Sequence, residues 1–256
     1  MPLEEACLNK KIQTMLKTPK KLLGQTRNSI NYLLNWGHGR YCPVCKKSSR
    51  KFGKFGLDLR DDAKCFYCGS LERHRLTWLY FERMTNLFDK NPKKMLHVAP
   101  EVCFEKRLSR RLGDGYVSAD IVSQRAMVRM DITNIQFNDD TFDVIYCSHV
   151  LEHVVNEKSA LLEFYRVLKR DGWAILLVPI FGEKTFEDSS ITSPQKRLEL
   201  FGQEDHVRTY GSDYIQRLEK VGFSVKLSKA SDFLSQEEIV KMGITQCAGD
   251  IYYCTK

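Results

Sequence analysis

The sequence predicts an α/β protein in which a mostly parallel sheet follows a small cysteine-rich module. Two observations indicate this architecture: short apolar strand segments alternate with helical segments from Lys94 onward, and two Cys-x-x-Cys pairs precede them. Alternating strands and helices form parallel sheets that are covered by helices on both faces. The length of 256 residues suits one domain of this kind together with one small module.

The N-terminal segment, residues 1–40, is predicted to be a basic arm. Residues 1–51 contain eleven Lys and Arg but two Asp and Glu, so the net charge of +8 is concentrated at this end. Such an arm could contact RNA, an anionic membrane surface or an acidic partner, or it could be a solvated tail.

No segment of the sequence has the character of a membrane span or a secretory signal. The apolar runs are far shorter than the ~18–20 residues of a transmembrane helix, and the N-terminus is polar. We therefore expect a cytoplasmic protein without a transmembrane segment, in which closely paired cysteines bind metal and do not form disulfides.

The cysteine-rich module is predicted to occupy residues 41–69 and to bind one structural zinc ion. Its four ligands would be Cys42, Cys45, Cys65 and Cys68, and the two pairs enclose 19 residues, a spacing typical of tetrahedral zinc sites. A segment of this size cannot build a stable core. The metal would therefore supply its folding energy. Four protein ligands leave no open coordination position, which indicates a structural role.

The remaining residues, 70–256, are predicted to form the large α/β domain. Ser70 is expected to cap a helix that extends to about Phe88, and Asp171-Gly172 is expected to form a turn. Ligands in such sheets bind outside the carboxyl ends of the strands. The other predicted elements are strands at 95–98, 116–119, 127–130, 142–148, 173–178, 223–227 and 251–255 and helices at 102–112, 156–169 and 213–221.

A resemblance to a known family covers roughly residues 94–178. The segments TFDVIYCSHVLEH (141–153) and YRVLKRDGW (165–173) resemble type 11 class I methyltransferases, which use S-adenosylmethionine (SAM) as methyl donor. The later segment FGQEDHVRTYG (201–211) is similar to a bacterial subfamily with an N-terminal four-cysteine zinc ribbon. The resemblance implies an enzyme with SAM as cofactor and a Rossmann-like fold, with a mostly parallel seven-stranded sheet and helices on both faces.

The resemblance also assigns cofactor contacts to residues at the ends of the second, third and fourth strands. Asp120 matches the acid that accepts hydrogen bonds from the ribose hydroxyls. Asp131 matches the residue that reads the adenine amino group, with Ile132 packed on the ring. The complete set implied here is Asp120, Ile121, Asp131, Ile132, Ser148 and His149.

The loop after the first strand departs from the family pattern. A glycine-rich loop with a leading acid is replaced here by HVAPE, residues 97–101. We expect Ala99 and Pro100 still to form a tight turn beside the cofactor, and His97 to stand where an acid would face the amino acid end of SAM. The departure leaves open a SAM-binding protein without turnover.

Three histidines are candidates for a catalytic base. Methyl transfer to a hydroxyl requires proton removal, and imidazole titrates near neutral pH. His206 lies in an insertion where this fold builds its acceptor pocket, while His149 and His153 follow the fourth strand together with Glu152. Each histidine could equally be a hydrogen-bonded structural residue. Neighbours of His206 that could orient it or bind an anionic acceptor are Asp205, Arg208 and Tyr210.

The segment 149–153 also matches the inverted zinc-protease signature H-x-x-E-H. That signature requires both histidines within one helix. Because His149 directly follows a predicted buried strand, the protease interpretation is disfavoured.

Three functions remain open from the sequence. The favoured hypothesis is O-methylation of a small-molecule or glycan hydroxyl, because the motifs resemble those of small-acceptor enzymes. The second is RNA methylation, in which the basic arm and the zinc module would grip phosphates and stack bases on aromatic rings. The third is a SAM-binding protein without turnover. The rings available for stacking would be Tyr41, Phe52, Phe55, Phe66 and Tyr67.

Overall fold

The computed structural model describes residues 35–56 and 59–256. The predicted basic arm, residues 1–40, therefore lies almost entirely outside the described residues. Within the described residues, no helix is both long and apolar enough to span a membrane.

The cysteine-rich module consists of two antiparallel strand pairs. In chain order its strands are β1 (Arg40–Cys42), β2 (Lys47–Ser49), β3 (Gly53–Phe55) and β4 (Arg60–Lys64). β1 pairs with β2 and β3 with β4. This arrangement brings the first cysteine pair, around the β1–β2 turn, close to the second pair after β4.

Six helices and nine further strands follow the module. The helices are α1 (Glu72–Met84), α2 (Val102–Leu112), α3 (Glu157–Val167), α4 (Pro194–Phe201), α5 (Tyr214–Glu219) and α6 (Gln236–Lys241). The strands are β5 (Met95–Val98), β6 (Tyr116–Asp120), β7 (Val128–Arg129), β8 (Phe142–Ser148), β9 (Leu168–Leu177), β10 (Phe186–Glu187), β11 (Arg208–Thr209), β12 (Ser224–Ser228) and β13 (Ile251–Thr255).

Seven of these strands form one sheet in the order β12–β13–β9–β8–β5–β6–β7. β13 is antiparallel to both of its neighbours, and every other pair is parallel. Val144, Ile145 and Cys147 on β8 are completely buried, as expected for an apolar strand covered on both faces. The predicted α/β fold with a mostly parallel seven-stranded sheet is confirmed.

The strand order determines where the sheet can bind a ligand. From β5 the chain proceeds outward to β6 and β7, and then returns to the opposite side of β5 as β8. The loops leaving β5 and β8 therefore diverge and open a crevice at their carboxyl ends. Open α/β sheets bind ligands at such a switch point.

Two sequence predictions of local structure were wrong. Ser70 does not cap α1, because the helix begins at Glu72 after Leu71, whose N–H donates to Nδ1 of His74 at 3.0 Å. The predicted turn before β9 is instead a bulge within that strand, since Leu168 already pairs with β8. Gly172 allows this bulge, because a Cβ there would lie 2.9 Å from the carbonyl oxygen of Asp143.

Arg75 on α1 joins the module to the large domain. Its guanidinium is completely buried and lies 4.1 Å from the centre of the Phe52 ring. Burial lowers its pKa below the ordinary value. The buried positive charge is therefore stable only when hydrogen-bond acceptors surround it. The acceptors are the main-chain oxygens of Ala63 (2.8 Å), Ser70 (3.0 Å), Met242 (2.6 Å) and Gly243 (2.8 Å).

Candidate functional site

A cavity of about 420 Å³ opens at the carboxyl ends of β5, β6 and β7 and beside the loop after β8. Its volume falls in the range of small-ligand pockets, roughly 300–1,000 Å³. Six residues proposed from the sequence line it: Ala99, Asp120, Ile121, Asp131, Ile132 and His153. The other proposed residues, His97, Pro100, Ser148, His149 and His206, lie outside its wall.

Asp120 and Asp131 present carboxylates to the cavity in the same way. In Asp120, Oδ1 accepts the N–H groups of Val122 at 2.8 Å and Ser123 at 2.7 Å. In Asp131, Oδ1 accepts both the N–H and the hydroxyl of Thr133, each at 2.8 Å. Each acid thus uses one oxygen to fix its own loop. The second oxygen of each accepts no hydrogen bond from the described residues and is available to a ligand.

The loop after β5 makes the tight turn although it lacks glycine. Ala99 has φ 47°, in the left-handed region, and its N–H donates to the carbonyl oxygen of Ala119 at 2.8 Å. A residue with a Cβ adopts this conformation at a strain of about 1–2 kcal/mol. The backbone therefore approaches the cavity as a glycine loop would.

His149 and His153 lie on either side of a buried carboxylate. His149, with φ 56°, directly follows β8, so it is not part of a helix as the protease signature requires. Its Nδ1 lies 3.3 Å from Oε1 of Glu152, a side chain that is 2% exposed. Nδ1 of His153 lies 3.1 Å from Oδ2 of Asp205. The turn that follows β8 is thereby connected to the insertion that contains Asp205.

His206 lies behind His153. Their ring centres are 4.6 Å apart with the rings nearly perpendicular. Nδ1 of His206 lies 3.0 Å from the carbonyl oxygen of Phe201, to which it donates a hydrogen bond. Burial lowers the pKa of His206 below its ordinary value, so the ring is neutral at pH 7.

Comparison with known proteins finds a family that resembles part of this sheet. Residues 104–176, from α2 to β9, match the family model of the type 11 methyltransferase domain. This part of the chain is therefore similar to a methyltransferase domain. Over 65 residues the chain is also 40% identical to an uncharacterized protein of Methanocaldococcus jannaschii, a match covering 24% of this chain and 28% of that protein. The chain thus spans about a quarter of the length of this curated relative.

Solved structures of methyltransferases resemble the chain in fold. A SAM-dependent methyltransferase from Archaeoglobus fulgidus is 14% identical, with a TM-score of 0.46 over 73% of this chain and 95% of that one. A phosphoethanolamine N-methyltransferase from Haemonchus contortus, bound to phosphomonomethylethanolamine and S-adenosylhomocysteine, is 12% identical, with a TM-score of 0.46 over 72% of this chain and 53% of that one.

The large α/β domain contains a carboxylate that sequence reasoning missed. His97 is completely buried, and its Nε2 lies 2.6 Å from Oε2 of Glu101, while its Nδ1 contacts the hydroxyl of Tyr116 at 2.9 Å. The hydroxyl of Tyr146 donates to Oε1 of Glu101 at 3.1 Å. Although burial opposes ionisation, the bond from His97 holds the pKa of Glu101 below its usual value. The signal in the sequence was the acid four residues after His97.

Arg208 and Tyr210 do not face an acceptor, contrary to the sequence hypothesis. The hydroxyl of Tyr210 is buried and donates to Oε1 of Glu157 at 2.8 Å. Arg208 is 3% exposed, and its guanidinium is used within the domain. Its acceptors are the carbonyl oxygens of Leu151, Val154 and Val155 and the carboxylate of Glu187. Arg208 therefore fixes the turn that contains His153 to the insertion.

The four module cysteines converge on one point. Sγ of Cys42 lies 3.7 Å from that of Cys68, and Sγ of Cys45 lies 3.7 Å from that of Cys65. A tetrahedral zinc ion with Zn–S bonds of about 2.3 Å requires sulfur atoms roughly 3.8 Å apart, so the spacing fits this metal. Ser70, the expected helix cap, instead places its hydroxyl 3.2 Å from Sγ of Cys42.

Proposed function

We propose that the protein transfers the methyl group of SAM to a hydroxyl group of a small-molecule or glycan acceptor. The observation that supports this proposal is the position of His153, which lines the cavity with its ring against His206 and its Nδ1 on Asp205. SAM is already an activated electrophile, so the protein must align the acceptor oxygen with the methyl carbon and accept a proton.

In this proposal SAM occupies the cavity between the two acids and the β5 loop. The free carboxylate oxygen of Asp120 would accept hydrogen bonds from the ribose hydroxyls, with Ile121 beside the sugar. Asp131 and Ile132 would contact adenine. The backbone at Ala99 and Ser148 would pass close to the methionine part. In the related family, an acid at the start of the glycine-rich loop contacts the ammonium group of SAM. Here Glu101, held by its contact with His97, would provide that carboxylate.

The proton of the acceptor would leave at the pair formed by His153 and His206. His153 reaches the cavity directly, whereas His206 lies behind it and orients it. His149 contacts Glu152 and would hold the turn in place.

We favour a small acceptor over RNA because two aromatic rings of the module are already in contact with other side chains of the protein. Phe52 is 1% exposed and lies under Arg75, so it belongs to the core and cannot stack on a base. Phe55 is 38% exposed, but Nζ of Lys64 lies 5.5 Å from its ring centre. The module is therefore proposed to have a structural role, with one zinc ion bound by Cys42, Cys45, Cys65 and Cys68.

The proposal is tested by measuring S-adenosylhomocysteine formation from SAM with catechols, small polyols, glycans and total RNA as separate acceptors. We expect turnover with a hydroxyl compound of low molecular mass. His153→Ala and His206→Ala should each lower kcat by about 10²–10⁴-fold and leave S-adenosylhomocysteine affinity nearly unchanged. The control His38→Asn changes an exposed histidine outside the site and should behave as wild type. Turnover with RNA alone would refute the proposal, and cofactor binding without turnover would favour the non-catalytic alternative.

A further inference from the structure

Three side chains with metal-binding atoms meet beside the SAM cavity. Glu152 and His153 belong to the 3-10 turn Leu151–His153, and His206 comes from the insertion. One possible ligand atom from each lies within 4.8 Å of those of the other two. Two imidazoles and one carboxylate are a common ligand set for divalent transition metals.

Two polar atoms of this group are buried without a partner. Glu152 is 2% exposed and His206 is 6% exposed. Oε2 of Glu152 and Nε2 of His206 have no hydrogen-bond partner among the described residues. A buried, unpaired carboxylate oxygen is unfavourable by several kcal/mol unless a donor or a cation satisfies it. A cation bound between them would satisfy both atoms at once.

The contacts at Nδ1 of the two histidines leave their Nε2 atoms available to a metal. Nδ1 of His206 must carry a proton, because its neighbour at 3.0 Å is the carbonyl oxygen of Phe201. Nδ1 of His153 likewise faces a carboxylate oxygen of Asp205 at 3.1 Å. The lone pair that His206 can offer is then on Nε2, and the contact of Nδ1 with Asp205 leaves Nε2 of His153 available as well. Metal-binding histidines are commonly held in this way by a carbonyl or carboxylate on the other nitrogen.

The ligand set is also fixed in advance by the fold. Arg208, which follows His206 in the insertion, donates to the carbonyl oxygens of Leu151 and Val154 on either side of Glu152 and His153. Its guanidinium is buried, so the two chain segments that bring the ligands together are connected in the core.

We propose that Glu152, His153 and His206 bind a divalent transition-metal ion of the Mn²⁺ or Zn²⁺ class, and that this ion binds the acceptor hydroxyl. The second part rests on the proposed function. Imidazole ligands favour these ions over Mg²⁺ and Ca²⁺, which prefer oxygen. Three protein ligands leave open positions for exchangeable oxygen ligands. Two adjacent open positions fit an acceptor with neighbouring oxygen atoms, such as a catechol or a vicinal diol.

The chemistry balances without a separate oxidant or co-reactant. Binding of the acceptor oxygen to the metal lowers the pKa of the hydroxyl, and its proton leaves to solvent. A lone pair of that oxygen forms the new bond to the methyl carbon of SAM while the carbon–sulfur bond breaks. The electron pair of the broken bond remains on sulfur, and the products are a methyl ether and S-adenosylhomocysteine. With the ion bound, His153 and His206 promote this proton loss through the metal and do not accept the proton themselves.

The binding test uses Mn²⁺ alone with the full-length protein, followed by the electron paramagnetic resonance signal of free Mn²⁺. We expect one Mn²⁺ per chain, because the four soft thiolates of the module select against this ion. Glu152→Gln and His206→Asn should weaken binding by at least about tenfold, and His38→Asn should not change it. Failure of millimolar Mn²⁺ to bind, or equal binding by Glu152→Gln, would overturn the proposal.

Thermal unfolding shows whether a variant has lost the metal or the fold. Without metal, Glu152→Gln should be at least as stable as wild type, because it replaces a buried carboxylate whose Oε2 has no hydrogen-bond partner among the described residues. Mn²⁺ should raise the Tm of wild type and leave that of Glu152→Gln unchanged. A rise in Tm of the same size in both proteins would contradict the assigned site.

Activity separates this inference from the proposed function. Hydroxyl methylation that persists unchanged in excess chelator and in Glu152→Gln would refute the metal and leave the proposed reaction standing. Conversely, tight Mn²⁺ binding in a protein that methylates no hydroxyl would support the site and refute its role toward an acceptor.

Discussion

Replacing Asp120 by Asn should weaken cofactor binding without disturbing the loop that holds it. The amide oxygen of Asn can accept the N–H groups of Val122 and Ser123 as Oδ1 does now, at 2.8 and 2.7 Å. The amide nitrogen then replaces the free carboxylate oxygen, so the acceptor that we propose faces the ribose hydroxyls becomes a donor. A charge-assisted hydrogen bond contributes about 1.5–3 kcal/mol, which corresponds to a Kd increase of roughly 10- to 150-fold.

The measurement is calorimetric titration with S-adenosylhomocysteine, accompanied by thermal unfolding of the ligand-free proteins. Asp188→Asn is a matched control, because Oδ1 of Asp188 accepts the N–H (2.8 Å) and hydroxyl (2.7 Å) of Ser190 in the same kind of turn outside the cavity. We expect both variants to unfold at the wild-type temperature and only Asp120→Asn to bind weakly. Wild-type affinity in Asp120→Asn would refute the assignment of Asp120 to the ribose.

Three further predictions concern the parts that support the site. Arg75→Met should reduce the free energy of unfolding by about 3–5 kcal/mol in urea titrations, because four buried carbonyl oxygens lose a charged donor, while that of Ser70 keeps a second one, the N–H of Cys65; a loss below 1 kcal/mol would contradict the link. Cys65→Ser should lower the zinc content by one ion per chain relative to wild type in protein purified without added metal, and an unchanged zinc content in elemental analysis would argue against the four-cysteine site. Burial lowers the pKa of His74 from 6.5 to about 4, so its neutral form stabilises the fold above pH 6.5 and this contribution, up to about 3 kcal/mol, is lost as pH falls toward 4. His74→Gln should therefore lose less stability than wild type between pH 7 and 4.5, and equal losses would show that His74 does not couple to folding.

The sequence predicted those elements whose apolar pattern alone determines them. β5, β8 and β13 begin and end where expected, because each is a short buried run with polar or turn-forming neighbours. Predictions from single residues were less successful. Ser70 is of a residue type that often caps helices, but in the folded protein its hydroxyl contacts the cysteine sulfurs. No local pattern reveals that preference.

The same difference holds in the site: residues whose position follows from the neighbouring sequence could be predicted, and residues whose partners are distant in the chain could not. Asp120 and Asp131 could be placed because the first ends β6 and the second comes two residues after β7, so the topology brings them to one edge. Glu101 and Arg208 could not be placed in this way. The role of Glu101 depends on Tyr146, 45 residues away. The role of Arg208 depends on carbonyl oxygens 53 to 57 residues earlier, which only the folded insertion brings within reach.

The hydrogen bonds of Arg75 have a consequence for the order of events during synthesis. Two of its acceptors, at Ala63 and Ser70, leave the ribosome with the module, whereas Met242 and Gly243 follow every strand of the main sheet except β13. A guanidinium with half of its acceptors is poorly suited to burial. The nascent module can therefore bring its cysteines together early, but it packs onto the rest of the molecule only after residues 242 and 243 have been synthesised.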